Sequence, residues 1–440
     1  MIKSSNGTWI FAEYRLRSGK AYMKNWRGSL IEYFMQGMKE DCGARLGVEV
    51  EHFIVDPVRQ AAVPYSGDRG VRQILTRLME RYSGARVLQD DDFFGFSVPE
   101  FTVTLEPAAQ IEISIAPSES VSRIGEIYSN FYDQLDSFLA GFGYTAVNAG
   151  CQPYTRVADL EMIPKKRYDL MNAWFRTSGT GGMEMMRGTA SLQVSIDYTS
   201  EEDFRTKIRA AYFFSPILKM LCDNAVAFQG QSLETNLKRT DIWRRTDPLR
   251  CGLQPDVFSG SCTFADYADF IGRMPPIFLK KEGQAEPAGS RTVAELFEGR
   301  EMKEEEIVHV LSMAFPDVRL KQFLELRFAD SMPLPFVKAY AALIKGLLYS
   351  EAGLAFAGER IRDLRISEDT VRQAEDSLMA EGWGAKVYGR PASDLAEEYL
   401  QLAERQLPDE EKIFLEPFYM VIRYGGIPGI PANKLARLWD

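Results

Sequence analysis

Acidic side chains recur at every second position in several segments of this sequence, a spacing that could assemble a cation site. In Gly47-Val-Glu-Val-Glu-His-Phe-Ile-Val55, a strand puts Glu49 and Glu51 on one face and Val48 and Val50 on the other. In Gln110-Ile-Glu-Ile-Ser-Ile115 the same geometry aligns Gln110, Glu112 and Ser114, and Glu106 stands just upstream in Leu105-Glu-Pro107. Ser191-Leu-Gln-Val-Ser-Ile-Asp197 aligns Gln193, Ser195 and Asp197, and in Gln322-Phe-Leu-Glu-Leu-Arg-Phe328, Glu325 and Arg327 share a face with Phe323. The solvated face of an antiparallel sheet alternates in the same way. These faces differ from it in composition. The first three carry carboxylates, amides and hydroxyls without Lys or Arg, and the last pairs a carboxylate with a guanidinium. Clustered oxygens of this kind repel one another unless a cation neutralises them. Hard cations such as Mg²⁺ take oxygen ligands and accompany nucleotide phosphates, so the pattern predicts a Mg²⁺ and phosphate site on a concave sheet face.

Other segments are less distinctive. Ser178-Gly-Thr-Gly-Gly182 matches neither G-x-x-x-x-G-K-[ST] nor G-x-G-x-x-G and reads as a flexible turn. Pro164-Lys-Lys-Arg-Tyr168 and the run from Arg239 to Arg250 place basic groups in loops or at helix ends, where they suit carboxylates and phosphates or are simply solvated. His52 alternates away from Glu49 and Glu51 and reads as structural; His309 has no recognisable role, and no nucleophilic triad is visible.

The elements that must carry these groups imply an α+β protein. Strand-like alternation is mixed with helices up to about residue 292, and helical patterns follow at Glu295–Leu311, Pro335–Tyr349, Ser367–Glu381 and Ala392–Gln406. There is no internal repeat, and the most linker-like stretch, Lys280–Ser290, reads equally well as a surface loop, so residues 1–440 are expected to form a single catalytic domain with 292–440 as its mostly helical part. The 440 residues carry 52 Lys and Arg against 62 Asp and Glu, a net charge of −10 that disfavours a nucleic-acid partner. With only two histidines, a metal would have to be held by carboxylates. No signal peptide or apolar run of ~20 residues is visible, and the five cysteines form no C-x-x-C pair. The expectation is a soluble cytoplasmic protein with reduced thiols, monomeric or homodimeric, acting on small molecules.

Together the segments resemble the plant-type glutamate-cysteine ligases. The resemblance is carried, in order, by GVEVEHF (Gly47–Phe53), LEPAAQIEISIAP (Leu105–Pro117), IPKKRYDLM (Ile163–Met171), GTASLQVSIDYTSEEDFRTKIR (Gly188–Arg209), RTDIWRRTDPLRCG (Arg239–Gly252) and FPDVRLKQFLELRFAD (Phe315–Asp330), spanning about residues 43 to 350. It implies an antiparallel sheet bent into a funnel, like the catalytic sheet of glutamine synthetase, with helices on its outer face. It further implies ATP-dependent ligation, in which the γ-carboxylate of glutamate attacks the γ-phosphate of ATP and cysteine's amine captures the acyl phosphate. Matching motif by motif, the resemblance makes Glu49, Glu51, Glu106, Glu112, Gln193 and Glu325 ligands of two or three Mg²⁺ ions. Arg327 and Arg239 become catalytic candidates that hold glutamate or the transferring phosphoryl group. Lys165, Arg167, Arg250 and Gln110 become candidates for binding substrate or ATP. An acyl phosphate must be kept from water, which makes Gly179–Gly182 a candidate closing loop.

The sequence also departs from the family. Leu105-Glu-Pro-Ala-Ala-Gln110 stands where LEPGGQ is usual, Arg327-Phe-Ala-Asp330 where RGAD is usual, and Thr189-Ala-Ser-Leu-Gln-Val-Ser-Ile-Asp197 where TCTVQVNLD is usual. No proposed ligand is lost, but the changes fall around the centre and leave the amine acceptor open. The alternatives are a relative that joins glutamate to another amine, a catalytically silent binding protein on the same fold, and, more remotely, a phosphagen kinase.

Overall fold

A computed structural model describes residues 25–424, except 42, 90, 91, 260, 282 and 283. The N-terminal stretch, in which no targeting signal is visible, and Cys42 lie outside the described residues. A ten-stranded antiparallel sheet organises the chain, with β1 (Leu46–Asp56), β2 (Ala61–Ala62), β3 (Arg86–Gln89), β4 (Phe93–Ser97), β5 (Phe101–Leu105), β6 (Ile111–Ser118), β7 (Thr145–Val147), β8 (Ser191–Ile196), β11 (Val318–Leu320) and β12 (Leu324–Asp330). Strands β9 (Phe278–Lys281) and β10 (Gln284–Pro287) form a separate hairpin, which is what the linker-like Lys280–Ser290 stretch becomes. The sheet runs β11-β12-β8-β1-β6-β5-β4-β3, with β2 and β7 paired to β1, and it is open at both ends rather than closed into a barrel. All four alternating segments found in the sequence are therefore neighbours, in the order β12, β8, β1, β6.

Alternation decides which face meets which layer. Val48, Val50, Ile111, Ile113, Leu192, Val194, Leu324 and Leu326 are fully buried. Against this apolar face pack α1 (Val121–Ala140), α4 (Glu201–Leu221) and α7 (Leu334–Leu348). Helix α1 starts where the Ser120 hydroxyl accepts from the Arg123 amide, and α4 where Ser200 accepts from Asp203, so each first turn has a donor satisfied locally. Fully burying one such aliphatic side chain contributes roughly 1.5–3 kcal/mol. A one-residue slip of any of these strands would exchange that stabilisation for buried carboxylates, so register and site are specified together. His52 lies in this layer, between the Ile111 carbonyl (3.0 Å) and the Tyr128 hydroxyl (2.7 Å), and burial pushes its pKa down to about 4. It is structural, as its alternation suggests.

The polar face is roofed by α2 (Lys166–Ser178), α3 (Gly182–Gly188) and α5 (Lys238–Arg244). The C-terminal part contains α6 (Glu304–Leu311), α7, α8 (Glu351–Asp363), α9 (Glu368–Glu381) and α10 (Ala392–Glu404); α7, α9 and α10 lie close to expected helices, whereas α8 is not among those expected. The continuous helix expected over Glu295–Leu311 is broken. A turn of helix at Val293–Leu296, capped by Thr292 and Glu295, is separated from α6 by a segment in which Gly299 takes φ +75°, a left-handed conformation that stops a helix.

Candidate active site

The cross-strand register brings the acids together. Glu51 lies opposite Glu112 across β1 and β6, and Glu49 lies between Gln193 on β8 and Ser114 on β6. Glu325 faces Ser195 from β12, and Glu106 follows β5 in the turn that leads into β6. With Arg167, Arg239 and Arg327 they line a cavity of about 330 Å³ on the polar face. Tyr168 and Met171 of α2, Met185 and Met186 of α3, and Trp243 of α5 supply its less polar wall.

The carboxylates fall into two electrostatic kinds. Burial, then the charges of Glu112 and Glu325, pushes Glu49 up to about 8. Burial, then Glu106 and Glu51, does the same for Glu112, also to about 8, although it accepts from the Thr104 (3.0 Å) and Ser114 (3.3 Å) hydroxyls. Glu106 rises to about 7 through burial and Glu51, with Arg167 opposing. Glu51 is raised by burial in spite of Arg239 and of hydrogen bonds from the Ser191 amide (2.8 Å) and hydroxyl (2.7 Å). Glu325 is the other kind. Burial works against its charge, but Arg319, Lys321 and Arg327 outweigh it and hold the carboxyl well below the usual range. Arg319 Nη2 lies 2.6 Å from Oε2, Lys321 Nζ 2.7 Å from Oε1 and Arg327 Nη1 3.0 Å from Oε2.

Alternation points Arg327 to the polar face beside Glu325, and a bulge falls at this position. Leu326 opposes Val194 while Ala329 opposes Leu192, so Arg327 and Phe328 together face the single residue Gln193. The Arg327 side chain donates from Nη1 to Gln193 Oε1 (2.6 Å), and its carbonyl accepts from Arg239 Nη2 (3.1 Å). Phe328 turns the other way, packing edge-on against Tyr340 of α7, so the aromatic residue that interrupts the usual RGAD is no wall of the acid cavity. Arg239 and Arg327 both sit over Trp243, at 5.5 and 5.8 Å. The buried Nε atoms of Arg239 and Arg167 have no hydrogen-bond partner, as suits groups that await an anion.

Two expected residues are committed to protein partners, and a third lines a neighbouring cavity. Arg250 is fully buried and stays out of the cavity, bonded to Asp247 Oδ2 (2.7 Å) and to the Met313 (3.2 Å) and Pro275 (2.8 Å) carbonyls; it is a structural arginine. Gln110 reaches the cavity wall, but its amide is committed to backbone, accepting from Ala108 N (2.8 Å) and donating to the Thr189 carbonyl (3.2 Å). Lys165 borders a second cavity, of about 840 Å³, together with Lys166, Lys280 and His309. Arg167 and Ser312 line both cavities and so mark where they meet. The Gly179–Gly182 segment is no free loop, because Thr180 and Gly181 donate to the Arg245 carbonyl and a β-carbon on Gly179 would strike Arg245 and Thr246 backbone oxygens. Arg319 and Lys321 are site residues that the strand reading passes over. Their signal is present in the sequence, since Arg319 alternates with Lys321 ahead of a short turn and pairs directly with Glu325 across β11 and β12.

Among the described residues no three Asp, Glu, His or Cys side chains stand ready as a metal cage. The donor chemistry nonetheless fits a hard cation. Glu49, Glu51, Glu106 and Glu112 offer oxygen in a cavity where Glu51, Glu106 and Glu112 each raise a neighbouring acid's pKa, a burden that divalent charge relieves. As placed, Gln193 bridges Glu51 and Arg327, and both Glu325 oxygens contact cations.

An open antiparallel sheet with acids and arginines converging on a cavity in its polar face defines a protein with a charged site for small-molecule substrates. The sequence model of the glutamate-cysteine ligase family 2 matches residues 45–426, and the chain belongs to that family. The match runs well beyond the motifs, through the C-terminal helices. A chloroplastic glutamate–cysteine ligase of Medicago truncatula is 29% identical over 423 residues, covering 93% of this chain and 81% of the relative. That of Arabidopsis thaliana is 28% identical over 425 residues, covering 94% and 80%. The fold is similar to that of a glutamate–cysteine ligase from Francisella tularensis solved in complex with AMP, with a TM-score of 0.52 at 12% identity, covering 91% of this chain and 85% of that one.

Proposed function

We propose that the protein joins the γ-carboxylate of L-glutamate to the amine of L-cysteine at the expense of ATP, through γ-glutamyl phosphate, with Mg²⁺ held by the acids of the sheet. The observation that carries the proposal is the convergence, in one cavity of a family member, of four mutually repelling carboxylates with two arginines that have donors to spare.

A carboxylate attacking a triphosphate is a meeting of anions, so charge must be neutralised and an in-line geometry imposed. Arg239 and Arg327 sit where their guanidinium groups can grip the glutamate carboxylate and keep it against Trp243 and the sheet. Lys165, Lys166, Arg167 and Lys280 give the second cavity a basic lining suited to nucleotide phosphates, with Arg167 at the junction where the γ-phosphate would meet the carboxylate. Glu49, Glu51, Glu106 and Glu112 would hold Mg²⁺, with Gln193 and Glu325 at the edge of the set. Bound there, the metal supplies charge neutralisation of the transferring phosphoryl oxygens. Glu325, kept ionised by its three cations, anchors Arg327. The roof of α2, α3 and α5 shields the acyl phosphate from water while the amine attacks.

Purified protein given ATP, Mg²⁺ and glutamate should release phosphate only when cysteine is added, and yield γ-glutamylcysteine. Equal release without cysteine would remove the ligase assignment, and release with another amine but not cysteine would replace the acceptor. No release under any of these conditions would overturn the proposal.

A further inference from the structure

The C-terminal helices reach the substrate arginines through buried charge. Lys219, near the end of α4, is 2% exposed and pairs with Asp317 Oδ2 (2.7 Å) and with Glu375 Oε1 of α9 (2.5 Å). Asp317 in turn accepts the Arg327 amide on its backbone carbonyl (2.8 Å), so it holds the bulge in which the arginine sits. On the other side, Arg244 of α5 lies 3.9 Å from Glu375 Oε2 and 2.6 Å from Asp376 Oδ1. Helix α5 also carries Arg239, whose Nη2 closes the circuit on the Arg327 carbonyl. The path from Glu375 through Lys219, Asp317, Arg327, Arg239 and Arg244 thus returns to Glu375.

We propose that Glu375 is a positioning residue that ties the C-terminal helices to the Arg239 and Arg327 pair and thereby sets the affinity for the substrate carboxylate. The inference rests on the assignment of those two arginines to glutamate given above. Stability alone is a poor account of the arrangement, because burying an ion triad costs desolvation that well-packed apolar groups of the same volume avoid. Position is a better one. Glu375 contacts α5, which carries Arg239, reaches Arg327 only through Lys219 and Asp317, and lies outside the cavity, so it can act on substrate only through these neighbours. Without its charge, Lys219 follows Asp317 alone and Arg244 keeps the surface carboxylate of Asp376 and a weak contact to Met379 Sδ, which frees α5 to shift against the bulge. Small displacements of substrate-holding groups are costly to binding and reaction.

The test uses the full chain with Glu375→Gln and, separately, Arg244→Met, and determines KM for glutamate, ATP and cysteine, kcat and the melting midpoint. Both variants should raise the glutamate KM by about 3- to 30-fold while the ATP KM stays within about twofold. A glutamate KM within about twofold of wild type in the folded variants, or an equal rise in the ATP KM, would overturn the positioning role. If Glu375→Gln does not fold, Arg244→Met, which leaves the buried triad intact, decides alone. Arg327→Lys measured alongside separates the two assignments. If it leaves glutamate kinetics unchanged, the assignment of the arginines fails; if it changes them and Glu375→Gln does not, only the positioning role fails.

Discussion

Replacing Arg327 by Lys is the sharpest test of the site, because a large functional loss is expected with little cost to folding. Lysine keeps the positive charge but loses the planar fork, and so cannot hold Gln193, Glu325 and a substrate carboxylate together. In the wild type, Nη1 alone serves Gln193 Oε1 at 2.6 Å and Glu325 Oε2 at 3.0 Å, which leaves the other guanidinium nitrogens for substrate. Losing one charge-assisted hydrogen bond to the carboxylate costs about 1.5–3 kcal/mol, or roughly 10- to 150-fold in kcat/KM for glutamate. Folding should suffer little, since Arg319 and Lys321 still compensate Glu325 at 2.6 and 2.7 Å. The assay is glutamate-dependent ADP release at saturating ATP and cysteine, with the melting midpoint recorded in parallel. A variant that melts like wild type and retains kcat/KM within about twofold would show that Arg327 does not hold the substrate. A variant that loses activity only because it unfolds would equally contradict the compensation of Glu325 by its other two cations.

The acids of the cavity also tie stability to pH. Glu49 and Glu112 titrate at about 8 and Glu106 at about 7 in the folded chain, against 4.5 ordinarily, so the native state binds protons that the unfolded state has released. That contribution to stability is complete below about pH 4.5 and is lost as pH rises through 7 to 8, so the metal-free protein should melt lower at pH 8.5 than at pH 6. Millimolar Mg²⁺ should raise the midpoint more at pH 8.5, and a shift that is equal or larger at pH 6 would refute the metal assignment to these acids. In the LEPAAQ turn, Ala109 has φ +62°, where a β-carbon costs about 1–2 kcal/mol, whereas Ala108 has no such conformation. Ala109→Gly should therefore be more stable than Ala108→Gly by about that amount in urea unfolding, and the reverse order would contradict the turn. Arg250→Met should cost about 3–5 kcal/mol by stranding buried Asp247, while the folded fraction keeps wild-type KM for glutamate; a raised KM would return Arg250 to the site.

Period-two alternation makes most of the site legible in the amino-acid order itself. It places Glu49, Glu51, Glu112, Gln193, Glu325 and Arg327 on polar strand faces, and apolar residues on the opposite faces demand a helical layer. Strand order is not contained in the alternation, because nothing local in β8 says that it lies between β1 and β12. It is the long-range pairing of Glu49 with Gln193 and of Glu325 with Ser195 that turns separate stripes into one cavity. Residue type is a weaker guide than spacing. Arg250 and Arg239 belong to the same basic run, yet Arg250 is enclosed by Asp247 and two carbonyls while Arg239 retains an unsatisfied Nε. Only tertiary packing separates them.

The bulge in β12 shows why the departures from the family pattern are hardest to interpret from sequence. Uninterrupted alternation already puts Arg327 beside Glu325 and Phe328 on the opposite face with Leu324 and Leu326, but it does not register that two residues here face one. The extra residue lets Arg327 reach Gln193 while Phe328 joins Tyr340 in the helical layer. A bulky side chain in place of glycine there is accommodated by the core and leaves the substrate wall alone. The same device exposes the backbone of Arg327 on both sides, to the Asp317 carbonyl and the Arg239 guanidinium. That is how charges as remote as Glu375 gain a hold on the arginine. An irregularity that a strand pattern cannot register is thus the element through which the C-terminal helices meet the chemistry.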